Sequence, residues 1–102
     1  MSKDKSQKIV HILISGRVQG VSYRWWFKKE AEKNQLNGWV RNRTSNKVEA
    51  EIFGSEKNIQ SMIKKCKSGP LLANVDEVWA NYINELTQTD IDIKGIKILE
   101  TI

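Results

Sequence analysis

The chain is poor in the residues that build covalent and metal-centred sites. It has one cysteine, Cys66, and one histidine, His11, among 102 residues. A lone cysteine cannot form an internal disulfide, and a catalytic cysteine needs a histidine as its base. Zinc sites of the usual Cys/His type need more ligands than these two side chains supply. We therefore expect a reduced, cytoplasmic protein without such a metal site, in which Cys66 and His11 are structural.

Long apolar segments are also missing. No run approaches the roughly 18 apolar residues that a membrane-spanning helix needs. The polar stretch from Met1 to Lys8 has no apolar centre of the kind found in secretory signals. We expect a disordered tail at residues 1–7 and a single domain at residues 8–102, with no membrane contact. The net charge of +5 favours anionic partners, phosphorylated metabolites and nucleic acid alike.

The spacing of apolar residues alternates between the periods of strands and helices. It predicts two helices, one starting at Tyr23 and one capped by Ser55, and a hairpin that turns at Thr44–Asn46. Strands are predicted at Lys8–Ser15, Leu36–Arg43, Lys47–Phe53, Val75–Ile83 and Ile96–Leu99. This βαββαβ order predicts an α+β, ferredoxin-like α/β sandwich. Its antiparallel sheet would have four to five strands, with both helices packed on one face.

The segment Gly16–Arg24 joins the first strand to the first helix. A junction of this type can direct several backbone N–H groups at one anion, and Arg24 would add a guanidinium in the first helical turn. Ser22 is placed to be the N-cap of the helix. Trp25 and Trp26 point to different faces of it. Trp26 is expected in the core and Trp25 partly buried, with exposure at the entrance of the anion site as the alternative. By itself the segment fits a tight structural turn equally well.

The segment Gly38–Asn42 carries the second unusual feature. Asparagine is a poor strand former, yet Asn42 stands near the end of a predicted strand. The structural explanation is that the strand ends there and Asn42 begins the turn. Neither segment alone identifies a function.

Taken together and in register, the two segments resemble the signatures of the acylphosphatase family. Gly54, the pair Gly69–Pro70 and Val75 also match that family's pattern. The resemblance implies that Arg24 binds the substrate phosphate and that Asn42 positions the attacking water. It also implies that the loop backbone holds the phosphate, through the residues Arg17, Val18, Gln19, Gly20, Val21 and Ser22.

The same resemblance implies the reaction and its partners. The enzyme would cleave the carboxyl–phosphate bond of a small-molecule acyl phosphate, with inorganic phosphate or sulfate as a competitive ligand. It would work without metal or cofactor. Nothing in the sequence indicates an oligomer, so we expect a monomer, and we expect no nucleic-acid partner. Ser22, Tyr23 and Asn46 depart from the family's usual residues, but none of these departures removes a catalytic group.

Two alternatives belong to other functional classes. RNA-recognition modules share the βαββαβ order and a basic charge, but they stack bases on aromatic residues of the two central strands. Here the stretch Ile9–Ile14 has no aromatic residue, and Lys47–Phe53 carries two glutamates and keeps its aromatic residue at the end. The second alternative is a catalytically silent member of the family that binds a partner protein.

Overall fold

The computed structural model describes residues 7–83 and 94–102 of the chain. Residues 1–6 of the predicted tail lie outside this part, and Gln7 is the first residue of β1. Among the described residues, no helix is long and apolar enough to cross a membrane. The elements are β1 (Gln7–Arg17), α1 (Tyr23–Lys33), β2 (Asn37–Asn42), β3 (Val48–Ser55), α2 (Glu56–Cys66), β4 (Asn74–Ile83) and β5 (Ile96–Ile98).

The five strands form one sheet in the order β4-β1-β3-β2-β5. The four longer strands pair antiparallel, and β1 lies between β3 and β4 as its two-sided apolar pattern predicts. The ferredoxin-like prediction is confirmed. The short strand β5 pairs parallel with β2, so the complete sheet is mixed although an antiparallel one was expected.

One face of the sheet carries both helices. The residues of β1 and β3 that are fully buried lie opposite one another in the register, as Ile12 does with Ala50. Each helix contributes an apolar stripe at helical spacing, which the sequence also predicted. The buried helix residues are Tyr23, Phe27 and Ala31 of α1 and Ile59, Met62 and Cys66 of α2.

A pair of charged residues on α1 fixes β5 at the sheet edge. Glu32 accepts a hydrogen bond from the N–H of Ile96 at 2.8 Å, and Lys28 donates to the carbonyl oxygen of Ile96, also at 2.8 Å. The Ile96 hydrogen bond and the Lys28 ammonium hold the pKa of Glu32 below its ordinary value. This docking places Ile98 beside Val40 on the neighbouring strand.

Candidate active site

A β-bulge at Gly16 directs the chain from β1 into the loop before α1. The pairing of β1 with β4 shifts between Ser15 and Gly16, where Gly16 has a φ of 121°. A Cβ atom at this position would lie 2.3 Å from the carbonyl oxygen of Asn74, so only glycine fits. The sequence predicted that the strand would end before Gly16. That boundary is wrong, because the bulge lets β1 continue to Arg17.

Ser22 stands at the N-cap position of α1 but does not cap the helix. Its φ of 64° and ψ of 26° are left-handed, and its side chain makes no cap hydrogen bond. The predicted cap is therefore wrong, because a capping side chain requires an extended backbone at that position. The cap predicted for α2 is confirmed, since Ser55 accepts a hydrogen bond from the N–H of Asn58 at 3.2 Å.

The loop and the first turn of α1 present free backbone donors. Within the described residues, no hydrogen bond engages the N–H groups of Gly20, Val21 and Arg24. The first N–H groups of a helix have no intrahelical acceptor, and they lie at the positive end of the helix dipole. The missing side-chain cap at Ser22 leaves the N–H of Arg24 available to a ligand. Such a group of donors is suited to an anion.

Arg24 adds a positive charge beside these donors. Its side chain is half-buried and has no hydrogen bond or ion pair within the described residues. Two other arginines are engaged on the opposite face of the sheet. The guanidinium of Arg41 lies 5.1 Å from the centre of the Trp39 ring, and Arg43 donates to Glu49 at 3.1 Å. An unpaired and partly desolvated guanidinium is a strong binding group for phosphate oxygens.

Asn42 is the last residue of β2 and lies on the helix-covered face, because it follows Val40 by two positions. It pairs with Val48 at the start of β3. Its side-chain Oδ1 atom is shielded from solvent and has no hydrogen-bond partner within the described residues. Buried polar atoms nearly always have a partner, so an orphaned acceptor at a cleft indicates a missing donor such as water or a ligand.

Gly20, Arg24 and Asn42 meet in one cleft with a volume of about 320 Å³. The residues that line it are Val18, Gly20, Ser22, Tyr23, Arg24, Trp25, Asn42 and Ile98.

Three of the predicted loop residues stand outside this lining. Arg17 is exposed at the end of β1 and pairs with Asn74, whereas Val21 packs in the core. The side chain of Gln19 points away to the β2–β3 turn. The structure thus brings Arg24 and Asn42 to one cleft, together with part of the predicted loop.

The rim of the cleft includes Trp25 and Ile98, which the sequence did not predict equally well. Trp25 is 60% exposed and lines the cleft, which is the alternative to the plain partial burial that the sequence favoured. The sequence did not predict that Ile98 lines the cleft, because a three-residue edge strand gives no signal of which neighbouring strand it pairs with. Its contribution depends on the parallel pairing with β2.

The chain matches the model of the acylphosphatase family over residues 10–93. The chain belongs to the acylphosphatase family. A relative named acylphosphatase from Rhodopseudomonas palustris is 46% identical over 86 residues, which are 84% of this chain and 83% of the relative. Another from Moorella thermoacetica is 38% identical over 85 residues, covering 83% of this chain and 91% of the relative. The family resemblance predicted from the two segments is thereby confirmed.

A solved acylphosphatase structure has the same fold over almost its full length. The enzyme from Coxiella burnetii superposes with a TM-score of 0.83 at 30% identity, covering 95% of this chain and 97% of that one. Family and fold agree that this chain is an enzyme that hydrolyses acyl phosphates. The roles of individual residues remain to be assigned from the geometry.

Proposed function

We propose that the cleft binds the phosphoryl group of an acyl phosphate between the 17–22 loop and Arg24, and that Asn42 holds the attacking water. One observation carries this proposal. Within the described residues, the guanidinium of Arg24, the N–H groups of Gly20 and Val21 and the Oδ1 atom of Asn42 have no hydrogen-bond partner, and they lie in the cleft or in the loop beside it. Each of them lacks a partner that a bound phosphate and a water would supply.

The chemistry of an acyl phosphate requires little beyond these groups. The leaving group is a carboxylate whose acid has a pKa of about 4, so it departs without receiving a proton. What the enzyme must supply is positioning and stabilisation of the charge on the phosphoryl oxygens. Arg24 and the backbone donors stabilise this charge, and their positions are fixed before the substrate binds.

Asn42 contributes by orienting the nucleophile. A water that donates one O–H to Oδ1 of Asn42 keeps a lone pair directed at the phosphorus atom. Its oxygen forms the new bond to phosphorus while the bond to the carboxyl oxygen breaks. A carboxamide does not act as a base, so the proton passes to a phosphoryl oxygen. The products are a carboxylate and inorganic phosphate, which accounts for competitive inhibition by phosphate or sulfate.

The setting that we propose is a cytoplasmic monomer. The lone Cys66 is buried and free, and burial raises the pKa of its thiol to about 12, so the thiol is protonated and unreactive. The side chains proposed for the reaction all come from one copy of the chain. Sedimentation of the purified protein tests the monomer. That the reaction needs no metal or cofactor stays a prediction from the family.

The open face of the sheet supports the prediction that nucleic acid is not a partner. This face is the side of β1 and β3 turned away from the helices. There Glu49 accepts hydrogen bonds from His11 at 2.7 Å and Arg43 at 3.1 Å. Burial alone would raise the pKa of Glu49, but the bonds and charges of these partners outweigh it and hold the pKa below its ordinary value. Glu51 lies on the same face, so the central strands present carboxylates where an RNA module stacks bases.

Steady-state hydrolysis of benzoyl phosphate by two variants tests the assignment. Arg24→Ala should lower kcat/KM by about 10³-fold or more and weaken competitive inhibition by phosphate, because the main charge in the cleft is gone. Asn42→Ala should lower kcat by about 10²-fold to 10³-fold and leave the inhibition constant of phosphate nearly unchanged.

Matched controls come from the rest of the sheet. Arg41→Ala removes the guanidinium that lies over Trp39, and Asn81→Ala removes an exposed carboxamide of β4. Both should retain near wild-type kinetics. The proposal fails if Arg24→Ala keeps most of its activity. It also fails in part if Asn42→Ala weakens phosphate inhibition as much as it lowers kcat, since Asn42 would then bind phosphate.

A further inference from the structure

The side chain of Gln19 connects the 17–22 loop to the β2–β3 turn. Its carboxamide nitrogen donates to the carbonyl oxygen of Arg43 at 2.8 Å and to that of Lys47 at 2.9 Å. Within the described residues, these are the hydrogen bonds that connect the 17–22 loop to the β2–β3 turn. Because both bonds use one nitrogen, the orientation of the carboxamide is fixed by two acceptors at once.

The two acceptors are themselves held in a closed turn. The N–H of Arg43 donates to the carbonyl of Lys47 at 2.8 Å, and the N–H of Asn46 donates to the carbonyl of Arg43 at 3.0 Å. Asn46 has a left-handed φ of 66° within the turn that the sequence predicted. Gln19 therefore binds to a rigid part of the hairpin.

Asn42 lies next to the carbonyl groups that Gln19 binds, and the backbone donors lie next to Gln19 itself. Asn42 is bonded directly to Arg43, and it pairs with Val48, the residue after Lys47. On the other side, the free N–H groups of Gly20 and Val21 follow Gln19 in the chain. Gln19 thus ties the loop that carries the phosphate donors to the turn next to Asn42.

We propose that Gln19 is a positioning residue that sets the bound water at Asn42 in line with the phosphoryl group in the loop. This rests on the roles proposed above for the loop and Asn42. Gln19 does not line the cleft, so its side chain is not expected to touch the substrate. Its effect on the reaction passes through Asn42.

The variant Gln19→Met tests this role, because methionine has a similar length and shape but no N–H donor. It should lower kcat for benzoyl phosphate by about 10-fold to 100-fold, the loss expected when a reacting group is displaced by about 1 Å. The inhibition constant of phosphate should change by less than about threefold, because Arg24 and the loop donors remain. Gln60→Met on the exposed face of α2 is the control and should be neutral.

A double-mutant cycle with Asn42→Ala separates positioning from general stabilisation. With Asn42 absent there is no carboxamide to align, so adding Gln19→Met should lower kcat by less than about twofold. If it lowers kcat by the same factor in both backgrounds, Gln19 does not act through Asn42 and the inference is overturned. If Asn42→Ala alone has no effect on kcat, it is the proposed function that fails.

Folding of the variants is checked by their urea unfolding midpoints. Gln19→Asn, which keeps the carboxamide but is one methylene too short to reach both carbonyls, serves as a second variant. It should reproduce the loss of kcat and the dependence on Asn42. Wild-type kcat in a folded Gln19→Asn or Gln19→Met protein would contradict the positioning role.

Discussion

Replacing Tyr23 with phenylalanine removes one oxygen atom from the core and leaves one buried carbonyl without its hydrogen-bond donor. The Tyr23 hydroxyl donates to the carbonyl oxygen of Cys66 at 2.7 Å. Cys66 is the last residue of α2 and is fully buried, and within the described residues no backbone N–H donates to its carbonyl. Burial raises the pKa of Tyr23, which keeps the phenol protonated as a donor.

The size of the effect follows from this geometry. Leaving a buried acceptor without its donor costs about 1–3 kcal/mol of unfolding free energy. The phenyl ring keeps its packing in the variant, including its contact with Trp26 at 5.1 Å between ring centres, so no large cavity term is added. We expect a loss of about 2 kcal/mol. For a domain of this size the midpoint of thermal unfolding should fall by roughly 10 °C.

Urea unfolding followed by tryptophan fluorescence measures this loss. Tyr82→Phe is the matched control, because Tyr82 is 42% exposed and its hydroxyl accepts a long 3.4 Å hydrogen bond from the exposed Gln60. The control should stay within about 0.5 kcal/mol of the wild type. Equal unfolding free energies for Tyr23→Phe and Tyr82→Phe would refute the argument that the Cys66 carbonyl depends on the hydroxyl.

Two further predictions concern pH and substrate choice. Because the pKa of Glu49 is lowered in the folded state, its contribution to stability is full above its ordinary value of 4.5 and disappears as the pH falls through the lower folded value. The difference in urea midpoint between wild type and Glu49→Gln should therefore shrink on acidification from neutral pH, and a constant difference would contradict this. Trp25→Ala removes the exposed ring at the cleft rim, so KM for benzoyl phosphate should rise by about 2-fold to 10-fold. KM for acetyl phosphate is the reference, and an equal rise for both would show that the ring does not contact the acyl group.

The fold follows from patterns that are local in the sequence. The alternation of Val48, Ala50 and Ile52 fixed which face of β3 is buried, and the stripe from Tyr23 to Ala31 fixed the buried side of α1. Strand and helix periods express this burial directly, so the elements and their order were predictable. The resemblance of the two segments then indicated Arg24 and Asn42, which the fold brings to one cleft.

Other features depend on partners distant in the sequence. The parallel pairing of β5 has no local signal, and the extension of β1 through Gly16 requires the edge of β4. The left-handed backbone at Ser22 is set by the loop as a whole, which overrides the cap that its residue type favours. Gln19 binds carbonyl groups at positions 43 and 47, and backbone carbonyls carry no sequence signature. These two hydrogen bonds were accordingly visible only in the structure.

Titration of ¹⁵N-labelled protein with inorganic phosphate, followed by amide ¹H–¹⁵N spectra, tests the central claim most directly. The amide signals of Gly20, Val21 and Arg24 should move together along one saturable curve. The same titration of Arg24→Ala should need a far higher phosphate concentration, whereas that of Asn42→Ala should follow the wild type. Saturable shifts confined to the open face of the sheet, or equal titration of wild type and Arg24→Ala, would contradict the proposed phosphate site.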